Sequence, residues 1–274
     1  LDNETLAAAE GENLKNPDFV FLNCGSGEVF DDVVAYAVEH GYHGAENLSI
    51  IPGEVGASAV QNIGAYGVEA KDIIYKVEAV EIATGKVVVF DNQDCQYSYR
   101  QSRFKHEWKD KYLVTHVIYC LSKHFVPDLD YGNIRTSLAA KKIGNPTAQQ
   151  LRDVIIEIRN AKLPDPKVQG NAGSFFMNPI VQKAKYEELA ALYPGMPHYT
   201  IDAEHEKIPA GWMIDQCGWK GQSLGRAGVH DKQALVLVNR GGATGEEIVN
   251  LCETIRKDVK QKFGIDIHPE VNVK

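Results

Sequence analysis

The 274-residue chain lacks long hydrophobic runs, an excess of basic residues and paired cysteine motifs. No stretch of about 18 apolar residues is present and the first residues do not resemble a signal peptide, so we expect neither membrane insertion nor secretion. The net charge of −8 argues against nucleic acid as a partner, because phosphate binding needs a basic surface. The five cysteines include no CxxC pair, which predicts reduced thiols in a cytoplasmic protein. The nine histidines lack partners at metal-ligand spacing, so we predict no metal site.

The remaining composition is typical of a globular protein, with 44% hydrophobic and 24% charged residues. The length suggests two domains or one large domain. Hydrophobic periodicity and turn residues predict an α+β fold with antiparallel hairpins. The strands are expected at residues 18–24, 74–82, 87–90, 113–121, 234–239 and 265–273. The helices are expected at residues 28–40, 147–162, 181–192, 210–217 and 245–263. The sequence ATGK, residues 83–86, predicts a hairpin turn between the strands at 74–82 and 87–90.

Local signals mark the ends of two of these helices. Thr147 with Gln150 and Thr244 with Glu247 fit caps of the helices that follow them, and Gly264 is expected to end the last one. The helix at 147–162 has one apolar face, formed by Leu151, Val154, Ile155 and Ile158.

The segment GNAGSFFMNP, residues 170–179, contains more glycine and amide residues than a packed core requires. One interpretation is a glycine-rich turn whose two phenylalanines pack inward. The other is that flexible backbone presents Ser174, with Asn178 nearby, as a proton donor to a carbanion. No GxSxG sequence is present, so a hydrolase nucleophile is not indicated.

Three charged residues are further candidates. Arg100, in YSYR, could bind a carboxylate through two parallel hydrogen bonds, although an exposed loop arginine is the commoner case. Glu270 lies in an otherwise apolar terminal segment, where it either faces outward or takes part in chemistry. Lys162 precedes LPDPK, a turn sequence that we interpret as a domain joint.

Residues 41–67 contain six glycines and little periodicity. Glycine allows a ligand to approach the backbone closely, and backbone amides can hold phosphate. Neither GxGxxG after a strand nor GxxxxGK[ST] occurs, so the standard nucleotide-binding fingerprints do not apply.

In order along the chain, ENLSIIPGEVGASAVQNIGAYG, YSYRQSRFK, KLPDPKVQGNAGSFFMNP, GWMIDQCGWKG and HPEV resemble the UDP-N-acetylenolpyruvoylglucosamine reductase family. The resemblance covers residues 18–273. It implies part of a vanillyl-alcohol-oxidase-type FAD-binding domain followed by a separate α+β substrate-binding domain. It also implies FAD and NADPH as cofactors. The expected activity is reduction of UDP-N-acetylglucosamine enolpyruvate to UDP-N-acetylmuramate in peptidoglycan synthesis, and hence a part in cell wall biogenesis, cell shape and cell division.

The resemblance assigns roles residue by residue. The catalytic positions are Ser174, as the proton donor to carbon, Arg100, as the cation that polarises the substrate carboxylate, and Glu270. The positions expected near substrate or nicotinamide are Tyr131, Lys162, Asn178, Tyr199 and Gln233. The positions expected near the flavin are Gly53, Gly56, Ser58 and Ala65. The implied domains are residues 1–149 (second half of the FAD-binding domain), 150–264 (substrate-binding domain) and 265–274 (a C-terminal strand that carries the glutamate).

Two departures from the family pattern are expected to matter. The first FAD-binding subdomain, which carries the pyrophosphate loop, is not found in the sequence, so we expect a chain that lacks it. Asn272 stands where many relatives have arginine. Two alternatives to the reductase therefore remain: a non-catalytic UDP-sugar-binding module, and a flavoprotein of the same fold with another substrate. No obligate protein partner is inferred.

Overall fold

The computed structural model describes residues 16–272. The chain forms two compact units, and the boundary between them follows Arg159. The division falls in the last turn of a helix that spans Ala148–Lys162. The domain boundary expected between residues 149 and 150 stays a prediction. Within the described residues, every helix is too short or too polar to cross a membrane.

The first unit is built on an antiparallel sheet. Its strands are β1 (Phe19–Gly25), β2 (Gly64–Ala65), β3 (Val68–Glu69), β4 (Ile74–Glu81), β5 (Val87–Asp91) and β6 (Tyr112–Ser122). Four of them pair in the order β1-β6-β4-β5, while β2 and β3 form a separate two-residue hairpin. The β4–β5 hairpin predicted from the ATGK turn is confirmed, with Val80 opposite Val87.

Two of the helices of this unit pack in the core of the sheet, and two others form a smaller apolar cluster. In chain order these helices are α1 (Phe30–Glu39), α2 (Val55–Gln61), α3 (Ile134–Ala140) and α4 (Ala148–Lys162). The predicted capping box of α4 is present, because Gln150 N–H donates to Thr147 Oγ1 at 3.2 Å and Thr147 N–H donates to the Gln150 side chain at 3.0 Å. Its apolar stripe, which includes Leu151 and Ile155, packs with Ile134 of α3.

The helix α2 was not expected, since residues 41–67 show little periodicity. Its sequence VGASAVQ contains small residues at the buried positions Gly56 and Ala59. These small residues let the helix lie close against its neighbours, so tertiary packing stabilises a helix of only seven residues.

The second unit contains two small sheets and three helices. Its strands are β7 (Asn171–Ser174), β8 (Ile180–Gln182), β9 (Tyr199–Thr200), β10 (His205–Lys207), β11 (Ser223–Leu224), β12 (Ala227–Val229) and β13 (Val236–Asn239). The sheet orders are β11-β12-β13-β7 and β8-β10-β9. The helices are α5 (Lys183–Leu192), α6 (Ala210–Gln216) and α7 (Gly245–Phe263). The residues predicted to start and end α7 are confirmed: Thr244 and Glu247 form a capping box, and Gly264 ends the helix with φ 70°.

The C-terminal segment differs from expectation. Residues 265–272 form no regular strand, and Val273 lies outside the described residues. A single bridge joins Pro269 to Phe176, while Ile265 and Ile267 are buried in the core of the second unit. The alternating pattern read as a strand is thus an extended segment anchored by its apolar side chains, with Pro269 unable to donate to a continuous ladder.

Candidate active site

Two of the predicted catalytic residues of the second unit are neighbours through the backbone. Ser174 is the last residue of β7, is exposed, and lies opposite Val236 of β13. The chain then continues through Phe175, whose carbonyl accepts a hydrogen bond of 2.8 Å from the N–H of Glu270. Buried Phe175 and Phe176 anchor this corner, so the serine that precedes them is held in place although it is exposed.

Asn178 and Gln233 lie around the same corner and support its backbone. The side-chain oxygen of Asn178 accepts a hydrogen bond of 2.9 Å from Ala210 N–H at the start of α6. Gln233 precedes β13, and its backbone carbonyl accepts from Val236 N–H at 3.1 Å. The structure therefore brings Ser174, Glu270, Asn178 and Gln233 to one edge of the second unit.

The other two predicted residues of this unit lie on separate elements. Lys162 is the exposed last residue of α4. Tyr199 is exposed on β9, directly opposite Lys207 of β10.

In the first unit, Arg100 lies against the glycine-rich segment. Its Nη2 donates to the carbonyl of Gly64 at 2.5 Å and its Nη1 lies 3.4 Å from the carbonyl of Asn62. Glu69 adds an ion-pair contact of 3.8 Å to the same guanidinium. The close approach requires glycine at position 64, since an added Cβ would lie 2.8 Å from Arg100 Nη1 and 2.8 Å from the Val68 carbonyl. The predicted cation is thus positioned beside Ala65.

Asn62 holds these two segments together and was missed in the sequence. It is fully buried and has φ 46°, in the left-handed region that asparagine tolerates better than most residues. Its amide donates to Ser98 O at 2.8 Å and to Glu69 Oε2 at 3.1 Å, and its oxygen accepts from Lys71 N–H at 2.9 Å. The only local signal is an asparagine at the end of a short helix, since its partners are distant in the chain.

The four predicted flavin-contacting residues have different environments. Gly53 is exposed with φ 122°, and an added Cβ would meet no atom within 4 Å, so its backbone is open to a ligand. Ala65 is half-buried next to the Arg100 contact. Gly56 instead packs on Ser26, 2.9 Å from where its own Cβ would be.

Ser58 has its side chain committed to the core. Its hydroxyl lies 2.6 Å from the Tyr119 hydroxyl and donates to Val55 O at 2.7 Å. Its backbone N–H donates to Glu54 O at 3.1 Å and its carbonyl accepts from Ile63 N–H at 3.3 Å, so Ser58 supports the fold of this segment. The residues present fit a flavin that would be held by the exposed backbone at Gly53 and by the half-buried Ala65, while the two buried positions shape that backbone.

Tyr131 lies beside the glycine-rich segment as well, with its ring 6.4 Å from that of Tyr66 in an edge arrangement. Tyr66 contacts Arg159, a second residue that no sequence motif singles out. Burial lowers the pKa of the Arg159 guanidinium, while Tyr66 and Asp31 act in the opposite direction. Its Nε is buried and has no hydrogen-bond partner among the described residues. The sequence does contain a signal for the burial of Arg159. Arg159 lies four residues after buried Ile155 and therefore on the apolar face of α4.

Two models of known protein families match the chain, one in each of its two units. A family model described as an FAD binding domain matches residues 17–91, and one described as the UDP-N-acetylenolpyruvoylglucosamine reductase C-terminal domain matches residues 165–274. The predicted fold class is confirmed: part of an FAD-binding domain precedes a separate α+β domain. The chain belongs to a class of FAD-dependent oxidoreductases.

The relatives define the family within that class. A UDP-N-acetylenolpyruvoylglucosamine reductase of Bacteroides fragilis is 58% identical over 255 residues, which is 93% of this chain and 76% of that protein. The reductase of Porphyromonas gingivalis is 51% identical over 257 residues, with coverage of 94% and 76%. The crystal structure of the reductase from Thermus caldophilus matches with a TM-score of 0.62 at 22% identity, over 93% of this chain and 72% of that chain, and supports the fold. The chain belongs to the UDP-N-acetylenolpyruvoylglucosamine reductase family.

Proposed function

We propose that this protein catalyses the NADPH-dependent reduction of UDP-N-acetylglucosamine enolpyruvate to UDP-N-acetylmuramate. The names of its relatives support this substrate, and the observation that carries the proposal is the backbone pairing of Glu270 with Phe175 next to Ser174. The reaction adds a hydride to one carbon of the enolpyruvyl double bond and a proton to the other, while NADPH is oxidised to NADP⁺. In the cell the step serves peptidoglycan synthesis in the cytoplasm, and through it cell shape and division.

FAD supplies the hydride-transfer chemistry when it is bound, against the backbone at Gly53 and Ala65. Ser174 is the proposed proton donor to the substrate carbon. An exposed hydroxyl at a strand end suits this role because it can reach a ligand without disturbing the buried phenylalanines that follow.

The negative charge that develops after hydride addition extends into the substrate carboxylate. Arg100 is the proposed stabilising cation, since its guanidinium is held by two backbone carbonyls and by Glu69. Glu270 is proposed as a hydrogen-bonding or acid partner of the substrate. Tyr131, Lys162, Asn178, Tyr199 and Gln233 are proposed to bind substrate or nicotinamide.

A visible absorption spectrum of the purified chain tests the proposal. The chain is mixed with FAD and freed of excess before NADPH and then the enolpyruvyl nucleotide sugar are added. We expect retained flavin absorbance that NADPH bleaches and the substrate restores. A colourless chain that still binds UDP-N-acetylglucosamine would contradict the proposal and favour the non-catalytic sugar-nucleotide-binding alternative.

A further inference from the structure

The hairpin that carries Tyr199 is organised around a buried carboxylate. Glu206 occupies the central strand β10 of the β8-β10-β9 sheet, opposite Thr200 on one side and Val181 on the other. Its side chain is only 4% exposed. An ionised carboxylate in such a place is costly unless hydrogen bonds compensate for lost water.

Both carboxylate oxygens of Glu206 bind residues adjacent to Tyr199 in the chain. His198 Nδ1 lies 2.9 Å from Oε2, and Thr200 Oγ1 donates to Oε1 at 3.0 Å. The His198 ring is stacked on Tyr186, with 4.2 Å between ring centroids. One carboxylate thereby fastens the residues immediately before and after Tyr199.

This arrangement decides which side of the hairpin Tyr199 faces. Successive side chains of an extended segment point to opposite sides, so residues 198 and 200 share one side and residue 199 takes the other. With His198 and Thr200 turned toward Glu206, Tyr199 faces outward. Lys207 lies opposite Tyr199 in the register, with its Nζ 5.5 Å from the centre of the phenol ring.

We infer that Glu206 is a positioning residue for Tyr199, which it holds in the orientation that contacts the nucleotide sugar. The inference rests on the proposed function, in which Tyr199 binds substrate. A slip of the extended segment by one residue would turn Tyr199 inward and place His198 and Thr200 outside. Loss of the hydrogen bonds from His198 and Thr200 to Glu206 makes this slipped conformation accessible.

A double-mutant cycle with the FAD-loaded protein tests this inference. In the wild-type background, Glu206→Gln is expected to raise the KM for the nucleotide sugar roughly tenfold, a coupling typical of residues that act as a unit, and to leave flavin reduction by NADPH unchanged. In a Tyr199→Ala background, the same substitution is expected to have no further effect on KM. Equal effects in both backgrounds would overturn the inference, because Glu206 would then act without Tyr199.

Two further sets of variants guard against misfolding. Thr200→Val removes one tie with almost no change in shape and is expected to raise KM, whereas Thr200→Ser retains the hydroxyl and is expected to behave as the wild type. Asp202→Asn is the matched control, because Asp202 binds His205 at 2.9 Å in the same hairpin without tying Tyr199. An unchanged KM in Thr200→Val, or a raised KM in Asp202→Asn, would contradict the inference.

Calorimetry with the substrate nucleotide sugar separates the two proposals. If the wild type neither turns over nor binds this compound, the proposed function fails, and the positioning role fails with it. If the wild type binds and turns over but Glu206→Gln binds equally well, only the positioning role is wrong.

Discussion

The two units use their polar residues in different ways. In the first unit, the predicted flavin-contacting segment is shaped by buried groups, including Asn62 and the Ser58–Tyr119 pair, and offers mainly backbone. In the second unit, Ser174 and Tyr199 are exposed side chains on short strands fastened by buried neighbours. In the first unit the core determines the shape of the backbone, whereas in the second unit side chains are presented at an edge. Substitutions should therefore affect stability in the first unit and turnover in the second.

The largest expected effect is the loss of turnover in Ser174→Ala. Removing a general acid lowers kcat by about 10²–10⁴-fold, while the melting temperature should stay unchanged because Ser174 is exposed. Steady-state kinetics and thermal unfolding measure the two quantities. Ser223→Ala, an exposed serine of the same sheet, is the control, and wild-type turnover in Ser174→Ala would exclude the proton-donor role.

Next in size is the destabilisation expected from Arg152→Met in the first unit. Arg152 donates to both oxygens of Asp31 at 2.7 and 2.9 Å, and Asp31 also accepts from Ile50 N–H at 2.6 Å. Removing the arginine leaves a mostly buried carboxylate without its hydrogen-bonded cation, at a cost on the order of 3 kcal/mol. Denaturant unfolding measures this cost.

The exposed pair Arg135–Asp130 provides the control for that experiment. Arg135→Met should cost less than about 1 kcal/mol, since solvent already screens the pair. Similar losses in Arg135→Met and Arg152→Met would contradict the structural role assigned to the buried pair.

Gly64→Ala sharpens the comparison because it removes no side chain and acts through packing against the backbone and Arg100. The new methyl would lie 2.8 Å from the Val68 carbonyl, which cannot move freely, and 3.0 Å from Glu69 Cγ. We expect a loss of about 1–3 kcal/mol in unfolding free energy, together with weaker flavin binding. Gly27→Ala is the control, since its Cβ would meet nothing within 4 Å; equal stability of both variants would show that position 64 tolerates a side chain.

The smallest effect is expected on acidification of the second unit. The hydrogen bond from Arg226, followed by that from Thr244 N–H, lowers the pKa of Glu247 from 4.5 to about 2. A lowered folded-state pKa means that this stabilisation is fully present above pH 4.5 and is lost as the pH falls toward 2. Melting temperatures across that range should fall less steeply for Glu247→Gln than for the wild type, with Glu246→Gln as the control. Parallel curves would contradict the linkage.

The elements predicted correctly are those whose signals are local. Thr147 with Gln150 and Thr244 with Glu247 are capping boxes, because each pair lies within one helical turn, and the α4 stripe follows from spacing alone. The helix α2 could not be predicted, since its small residues become favourable only against a neighbouring strand. The prediction of a terminal strand was wrong, because alternating apolar and polar residues also occur in an extended segment that is anchored by Ile265 and Ile267.

The site shows the same division. The motifs around Ser174 and Arg100 were recognisable as a family resemblance. Asn62, Arg159 and Glu206 were not, since a buried asparagine, arginine or glutamate reads as an ordinary polar residue until its partners are known. Those roles require distances between atoms far apart in the chain.

By itself, the sequence determined the family, the α+β class and the helices whose caps and apolar stripes lie within a few residues of each other. Only the tertiary structure decided that Glu270 lies beside Ser174, that Asn62 joins the Arg100 loop to the glycine-rich segment, and that Glu206 turns Tyr199 outward. The physical reason is the range of the interactions. Propensity and capping act within a turn, whereas burial and hydrogen bonding of a polar group depend on whichever segments the folded chain brings to it.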